Sequence, residues 1–142
     1  MVKDKEFAVL RQLRGNSRDS LAKISKRTTI PVSTVFDILK KMEKDVITRH
    51  VSLIDFSKVG YGIRVLYILR AVAEKQMRDF LMNTENVNTL SFTHEDYFCA
   101  ECVFRNMKEV RNFKDEIEGI GVFEYNENII TEEVKKEEFC SV

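Results

Sequence analysis

Residues 20–44, SLAKISKRTTIPVSTVFDILKKMEK, hold a short amphipathic helix, a break at Thr28-Thr29-Ile30-Pro31 and a longer amphipathic helix. In the longer helix Val35, Ile38, Leu39 and Met42 fall at i, i+3, i+4 and i+7. That spacing gathers them into one apolar stripe and turns Ser33, Thr34, Asp37, Lys40 and Lys41 outward. In the shorter helix Leu21, Ile24 and Thr28 make the matching stripe, with Ser20 placed as N-cap and Lys23, Lys26 and Arg27 facing solvent. Pro31, the single proline of the chain, suits the first turn of a helix, where no intrahelical bond needs its missing N–H. Two helices joined this tightly predict a helix-turn-helix.

Upstream, Asp4 to Arg14 reads as a helix with Phe7, Leu10 and Leu13 inward and Gly15-Asn16 as a stop tolerant of left-handed backbone, completing a trihelical unit. Downstream, Asp45 marks a turn, and VITRHVSLID (46–55) alternates at Ile47, Val51 and Leu53, as an extended wing or arm beside the trihelical unit would. Arg49 and His50 on it would approach phosphate. Gly60 and Gly62 interrupt the pattern of FSKVGYG (56–62) and mark a boundary. Beyond it come a strand over 63–73 with both faces largely covered, a helix over 74–83 presenting Met77, Phe80 and Leu81, and a strand over 87–93. His94 and Glu95 make a tight turn before a strand over 96–104. Asn106 then caps a helix to about Glu118, with Met107, Val110, Phe113 and Ile117 inward and Gly119 at its end, and a last strand covers 122–130. The order β-α-β-β-α-β predicts a four-stranded antiparallel sheet with both helices on one face, the ferredoxin-like arrangement, in an α+β chain. Its other face keeps Leu66 and Ile68, and an uncovered apolar sheet face predicts association with a second copy.

The net charge of the 142 residues is zero by cancellation. Residues 1–50 carry twelve Lys and Arg against six Asp and Glu, whereas residues 51–142 carry eleven against seventeen. A basic first module points to a nucleic-acid partner and an acidic second module to another task. The three cysteines are odd in number and lack a framework spacing, which fits a reducing compartment. No apolar run approaches the roughly 20 residues of a membrane span. MVKDKEFAVL alternates charged and apolar residues where a secretory leader carries a continuous apolar run, so the expectation is a cytoplasmic protein without a membrane partner.

Candidate double-stranded-DNA contacts follow from the outward faces. Pro31, Ser33 and Thr34 lie at the start of the second helix, where this motif meets base edges, and Asp37 can accept from a cytosine amino group. Arg18, Lys26, Arg27, Lys40 and Lys41 would serve phosphates. Cys99-Ala100-Glu101-Cys102 has the spacing of a metal or redox motif, but on a strand residues i and i+3 point to opposite faces, so both thiols read as small apolar fillers. Cys140 is the thiol expected to be accessible. The two histidines, His50 and His94, lie on different modules, and no nucleophile–histidine–acid order, phosphate loop or paired catalytic carboxylate is seen, so neither a cofactor nor a metal is expected. Phe36 is the one phenylalanine near the margin of the second helix rather than in an apolar stripe.

The chain resembles the Lrp/AsnC (feast/famine) family of bacterial and archaeal transcription regulators. The residues that carry this are Ile24-Ser25-Lys26-Arg27-Thr28, Ser33-Thr34-Val35, Met42-Glu43, Val46-Ile47, Asp55 with Gly60-Tyr61, Asp96, and Ile117 with Gly121-Val122. The resemblance implies an N-terminal winged helix-turn-helix for DNA (1–50), a connector (51–62), a ferredoxin-like domain of RAM/ACT type for dimerisation and effector binding (63–131), and an acidic tail (132–142). It implies a sequence-specific regulator, not an enzyme, acting as a homodimer, tetramer or octamer on half-sites about one helical turn apart. An amino acid or similar metabolite would bind between dimers, here at His94, Glu95 and Asp96. The chain departs from the family pattern at Ile38, where arginine is common, at Thr29 and His94, where glycine is usual, and near Asp45, where a glycine is missing. Two alternatives share the architecture: a sirohaem-decarboxylase-like enzyme with a degenerate helix-turn-helix, matched here by His94 and Tyr97, and an effector-free architectural DNA-binding protein.

Overall fold

The computed structural model describes residues 1–141. Ser20 opens the second helix as expected, its hydroxyl accepting from the Lys23 amide at 3.2 Å. Helix α1 is Asp4–Gly15, α2 is Leu21–Thr28 and α3 is Val32–Asp45. Val9, Leu13, Ile24, Ile30 and Val35 form their shared core, with Leu21, Ile38, Leu39 and Ile47 packed against it. Pro31 stands one residue before the first turn, as the N-cap of α3, and its carbonyl accepts from the Val35 amide at 2.9 Å.

Two expectations for α1 are corrected. Its buried face is Glu6, Val9 and Leu13, while Phe7 is 39% exposed. The burial of a carboxylate has a tertiary cause: Glu6 caps the Lys3 amide at 2.8 Å and pairs with Lys41 Nζ at 2.7 Å. The helix also stops without a left-handed residue, since Gly15 is its last helical residue and Asn16 is extended at φ −155°. The Asn16 side chain takes over, accepting from the Arg18 amide at 3.0 Å and donating to Asp19 at 3.1 Å. Residues 46–55 carry no strand. Extended chain needs a hydrogen-bonding neighbour to make a β-wing, and with no strand here to pair with, the segment is an arm.

The second unit, Ile54–Glu133, begins with a single 3-10 turn at Phe56–Val59. Then follow β1 (Ile63–Ala71), α4 (Glu74–Asn83), β2 (Val87–Phe92), β3 (Phe98–Phe104), α5 (Met107–Ile120) and β4 (Val122–Ile129). The strands form one antiparallel sheet in the order β2-β3-β1-β4. In β1, Val65, Tyr67 and Leu69 are buried in alternation and pack with Met77 and Leu81 of α4 and Val110, Phe113 and Ile117 of α5. The Tyr67 ring lies 4.9 Å from Phe113 and 5.9 Å from Tyr125, and burial first of all pushes its hydroxyl well above the ordinary tyrosine range. Leu66 and Ile68 face the other way and are half-buried. Here α5 runs through Gly119 and stops at Gly121, whose φ of +113° suits glycine, because Ile120 still packs against the core. Met107, expected inward, is 44% exposed at the first helical position.

The segment from Val134 belongs with residues 1–53 as one unit. Arg14 of α1 donates to the carbonyls of Glu137 at 2.7 Å and Phe139 at 2.9 Å. Val142, the end of the expected acidic tail, lies outside the described residues.

Candidate nucleic-acid interface

The geometry of the helix-turn-helix is set by hydroxyl groups. Ser25 Oγ donates to the Ile30 carbonyl at 2.6 Å, Thr28 Oγ1 to the Ile24 carbonyl at 2.7 Å and Thr29 Oγ1 to the Thr28 carbonyl at 2.6 Å. Of these acceptors Thr28 is among the last carbonyls of α2, which lack helical donors, while the Ser25 bond ties α2 to the turn at Ile30. Thr29 makes the reversal itself, at φ 57° and ψ 25°. It is the left-handed position where glycine serves best, filled here by a β-branched residue.

On α3, Val35 and Met42 are buried and Ser33, Asp37 and Lys40 are exposed, with Thr34 half-buried. The cations expected to serve phosphates divide into two groups. Arg18, Lys26 and Lys40 are exposed and have no carboxylate partner among the described residues. Arg27 instead pairs with Asp19 at 2.7 Å, where the Asp19 side chain is only 3% exposed. Lys41 pairs with Glu6 at 2.7 Å. The Glu6 hydrogen bond, above all, raises the Lys41 ammonium from its ordinary value, and the same bond lowers the Glu6 carboxyl. So Lys41 ties α3 to α1, a role that its place outside the apolar stripe does not disclose. His50 Nε2 lies 3.5 Å from Glu43 on the arm that follows α3.

Sequence reasoning left two surface features of α3 unassigned, Val32 at 47% and Phe36 at 45% exposed. The marginal position of Phe36 outside the stripe was the one sign of them.

At the hairpin between β2 and β3, His94, Glu95 and Asp96 are all exposed. The tip is tight: the Asp96 amide donates to the Thr93 carbonyl at 3.1 Å, the Thr93 amide to the Tyr97 carbonyl at 2.9 Å, and Asp96 is left-handed at φ 64°. Beside it the Arg70 guanidinium lies 5.0 Å over the Tyr97 ring and 5.4 Å over Phe123, and pairs with Glu124 at 3.3 Å. The Tyr97 hydroxyl donates to Glu124, a bond that raises the tyrosine and lowers the carboxyl from their ordinary values. This four-residue cluster was missed because its members come from separate strands and the hairpin. On β3 the two thiols separate as expected: Cys102 is buried, which pushes its thiol up to about 12, and Cys99 is half-buried on the opposite face. Among the described residues no three His, Cys, Asp or Glu side chains are placed to hold a metal ion, and no helix is long and apolar enough to cross a membrane.

No protein-family model matches the chain, and no curated protein matches it significantly. Solved structures do. A Neisseria meningitidis transcriptional regulator in complex with L-Met superposes with a TM-score of 0.84 at 19% identity, over 96% of this chain and 94% of that one. Bacillus subtilis LrpC gives 0.84 at 11% identity, over 95% and 98%. An AsnC family transcriptional regulator from Agrobacterium tumefaciens gives 0.83 at 19% identity, over 95% and 94%. The resemblance to Lrp/AsnC regulators therefore holds for the fold across nearly the whole chain.

Proposed function

We propose that this chain is a sequence-specific DNA-binding transcriptional regulator of the Lrp/AsnC type, working as a dimer or larger assembly. Residues 1–50 act as a winged helix-turn-helix module whose wing is reduced to an arm, 51–62 as the connector, 63–131 as a ferredoxin-like assembly and effector domain, and 132–142 as a tail. The observation that carries the reading is the exposed outer face of α3. Ser33 and Asp37 can address base edges there, while Arg18, Lys26 and Lys40 keep their charge free for phosphates. Leu66 and Ile68 on the open face of the sheet supply the apolar surface for a second copy. The L-Met complex of the Neisseria regulator supports an amino acid as effector, with His94, Glu95 and Asp96 as its contacts where copies meet.

The enzyme alternative asks His94 and Tyr97 to act on a substrate. The Tyr97 hydroxyl is already committed to Glu124, which favours the regulator. The architectural alternative differs in specificity, and one mutant series separates it. Lys26→Ala and Lys40→Ala weaken binding to every duplex and each lower the slope of log K against log salt by about 0.9. Ser33→Ala and Asp37→Ala instead alter which sequence is preferred, at roughly 1–3 kcal/mol for each base edge no longer addressed. If all four variants weaken every duplex equally, α3 does not read sequence and the architectural reading replaces this one.

A further inference from the structure

Val32 and Phe36 are one helical turn apart on α3 and form an exposed apolar strip that begins at the first residue of the helix. The core does not use it, since α3 packs through Val35, Ile38, Leu39 and Met42. Phe36 and Lys41, five residues apart, lie about 140° from each other around the helix. One margin of the outer face is thus fastened to α1 through Lys41 and Glu6, and the opposite margin presents the strip. Lys40 stands over the Phe36 ring, its Nζ 5.6 Å from the ring centroid, and has no carboxylate partner among the described residues. An occupant of this strip therefore meets an apolar surface with a positive charge immediately beside it.

In a DNA major groove the bases offer one apolar group, the 5-methyl of thymine, and it lies close to the phosphates that a neighbouring lysine can neutralise. We infer that Phe36 and Val32 contact thymine 5-methyl groups, so that α3 selects T·A pairs beside those addressed by Ser33 and Asp37. The inference rests on the DNA-binding reading and adds the chemistry of part of the site.

The test begins with selection by the full-length protein from a randomised duplex pool at fixed salt. The best duplex is then remade with deoxyuridine in place of each thymine in turn, which removes the methyl and keeps the base pairing. The expected result is a loss of about fourfold in affinity for each contacted methyl removed. Phe36→Ala should bind the parent duplex more weakly and become indifferent to deoxyuridine at some of those positions, and Val32→Ser at the others, with thermal unfolding confirming that both variants are folded. Binding of the wild type that ignores deoxyuridine everywhere overturns the inference and leaves DNA binding intact, as does undiminished sensitivity in both variants. A pool in which no duplex is enriched overturns the sequence-specific reading and this inference together.

Discussion

Thr29 and Asp96 are both left-handed, at φ 57° and 64°, but the two positions do not cost the same. A short polar side chain such as aspartate tolerates this region, whereas a β-branched residue meets its own backbone there, at roughly 1–2 kcal/mol. Glycine gives back part of that gain through the entropy it loses on folding. Thr29→Gly should therefore stabilise the helix-turn-helix by about 0.5–1 kcal/mol, seen as a higher Tm, and Asp96→Gly should do less. Glu6 sets a pH dependence. Lys41 first, then the Lys3 amide, hold its native carboxyl below the ordinary value of 4.5. The unfolded chain thus binds the proton first as pH falls, so the stabilisation is present above about 4.5 and is lost as pH drops through the native value. Glu6→Gln should lower Tm at neutral pH and flatten its decline in acid, measured by thermal unfolding across the acid range.

Neighbouring residues of α3 stand in different surroundings: Lys41 pairs with Glu6, and Lys40 has no carboxylate partner among the described residues. Lys41→Ala should lower Tm more than Lys40→Ala, because it strips the ion pair from Glu6, whereas Lys40→Ala should cost more of the salt dependence of DNA binding. Thermal melts and salt titrations on the same two proteins check both halves. What the sequence made legible in these elements was local. The Ser20 cap, the turn before Pro31 and the stripe through Val35 and Met42 depend on residues a few positions apart. The errors have distant causes. The apolar Phe7 stripe was outweighed by Glu6, whose partner Lys41 lies 35 residues on. Gly119 and Gly121 look alike as stops, and only the packing of Ile120 against the second core decides between them. The division of the basic residues into Arg27 and Lys41, which pair with carboxylates, and Lys26 and Lys40, which have no carboxylate partner among the described residues, is likewise a tertiary fact that charge spacing does not encode. The hairpin tip was legible as a turn, but the cluster of Arg70, Tyr97, Phe123 and Glu124 beside it exists only once the strands pair.

At the scale of the whole chain, a helical unit with a small core and a sheet unit with an aromatic core share the sequence, and the net positive charge lies in the first 50 residues. The proposed assembly rests on the sheet. Leu66 and Ile68 stand on the face that no helix among the described residues covers, beside Cys99, and the ion pairs Arg64–Glu101 and Arg70–Glu124 flank them. Leu66→Glu together with Ile68→Glu should reduce the assembly toward monomer in sedimentation velocity while leaving the fold intact by circular dichroism. An unchanged oligomer would place the interface elsewhere. The central claim is that the basic helix-turn-helix reads a DNA sequence. It is tested most directly by titrating the full-length protein on the duplex upstream of its own gene, at several salt concentrations and with excess unrelated competitor DNA. Tight, competitor-resistant binding with a steep salt slope is the predicted result, and no binding even at low salt would contradict the account.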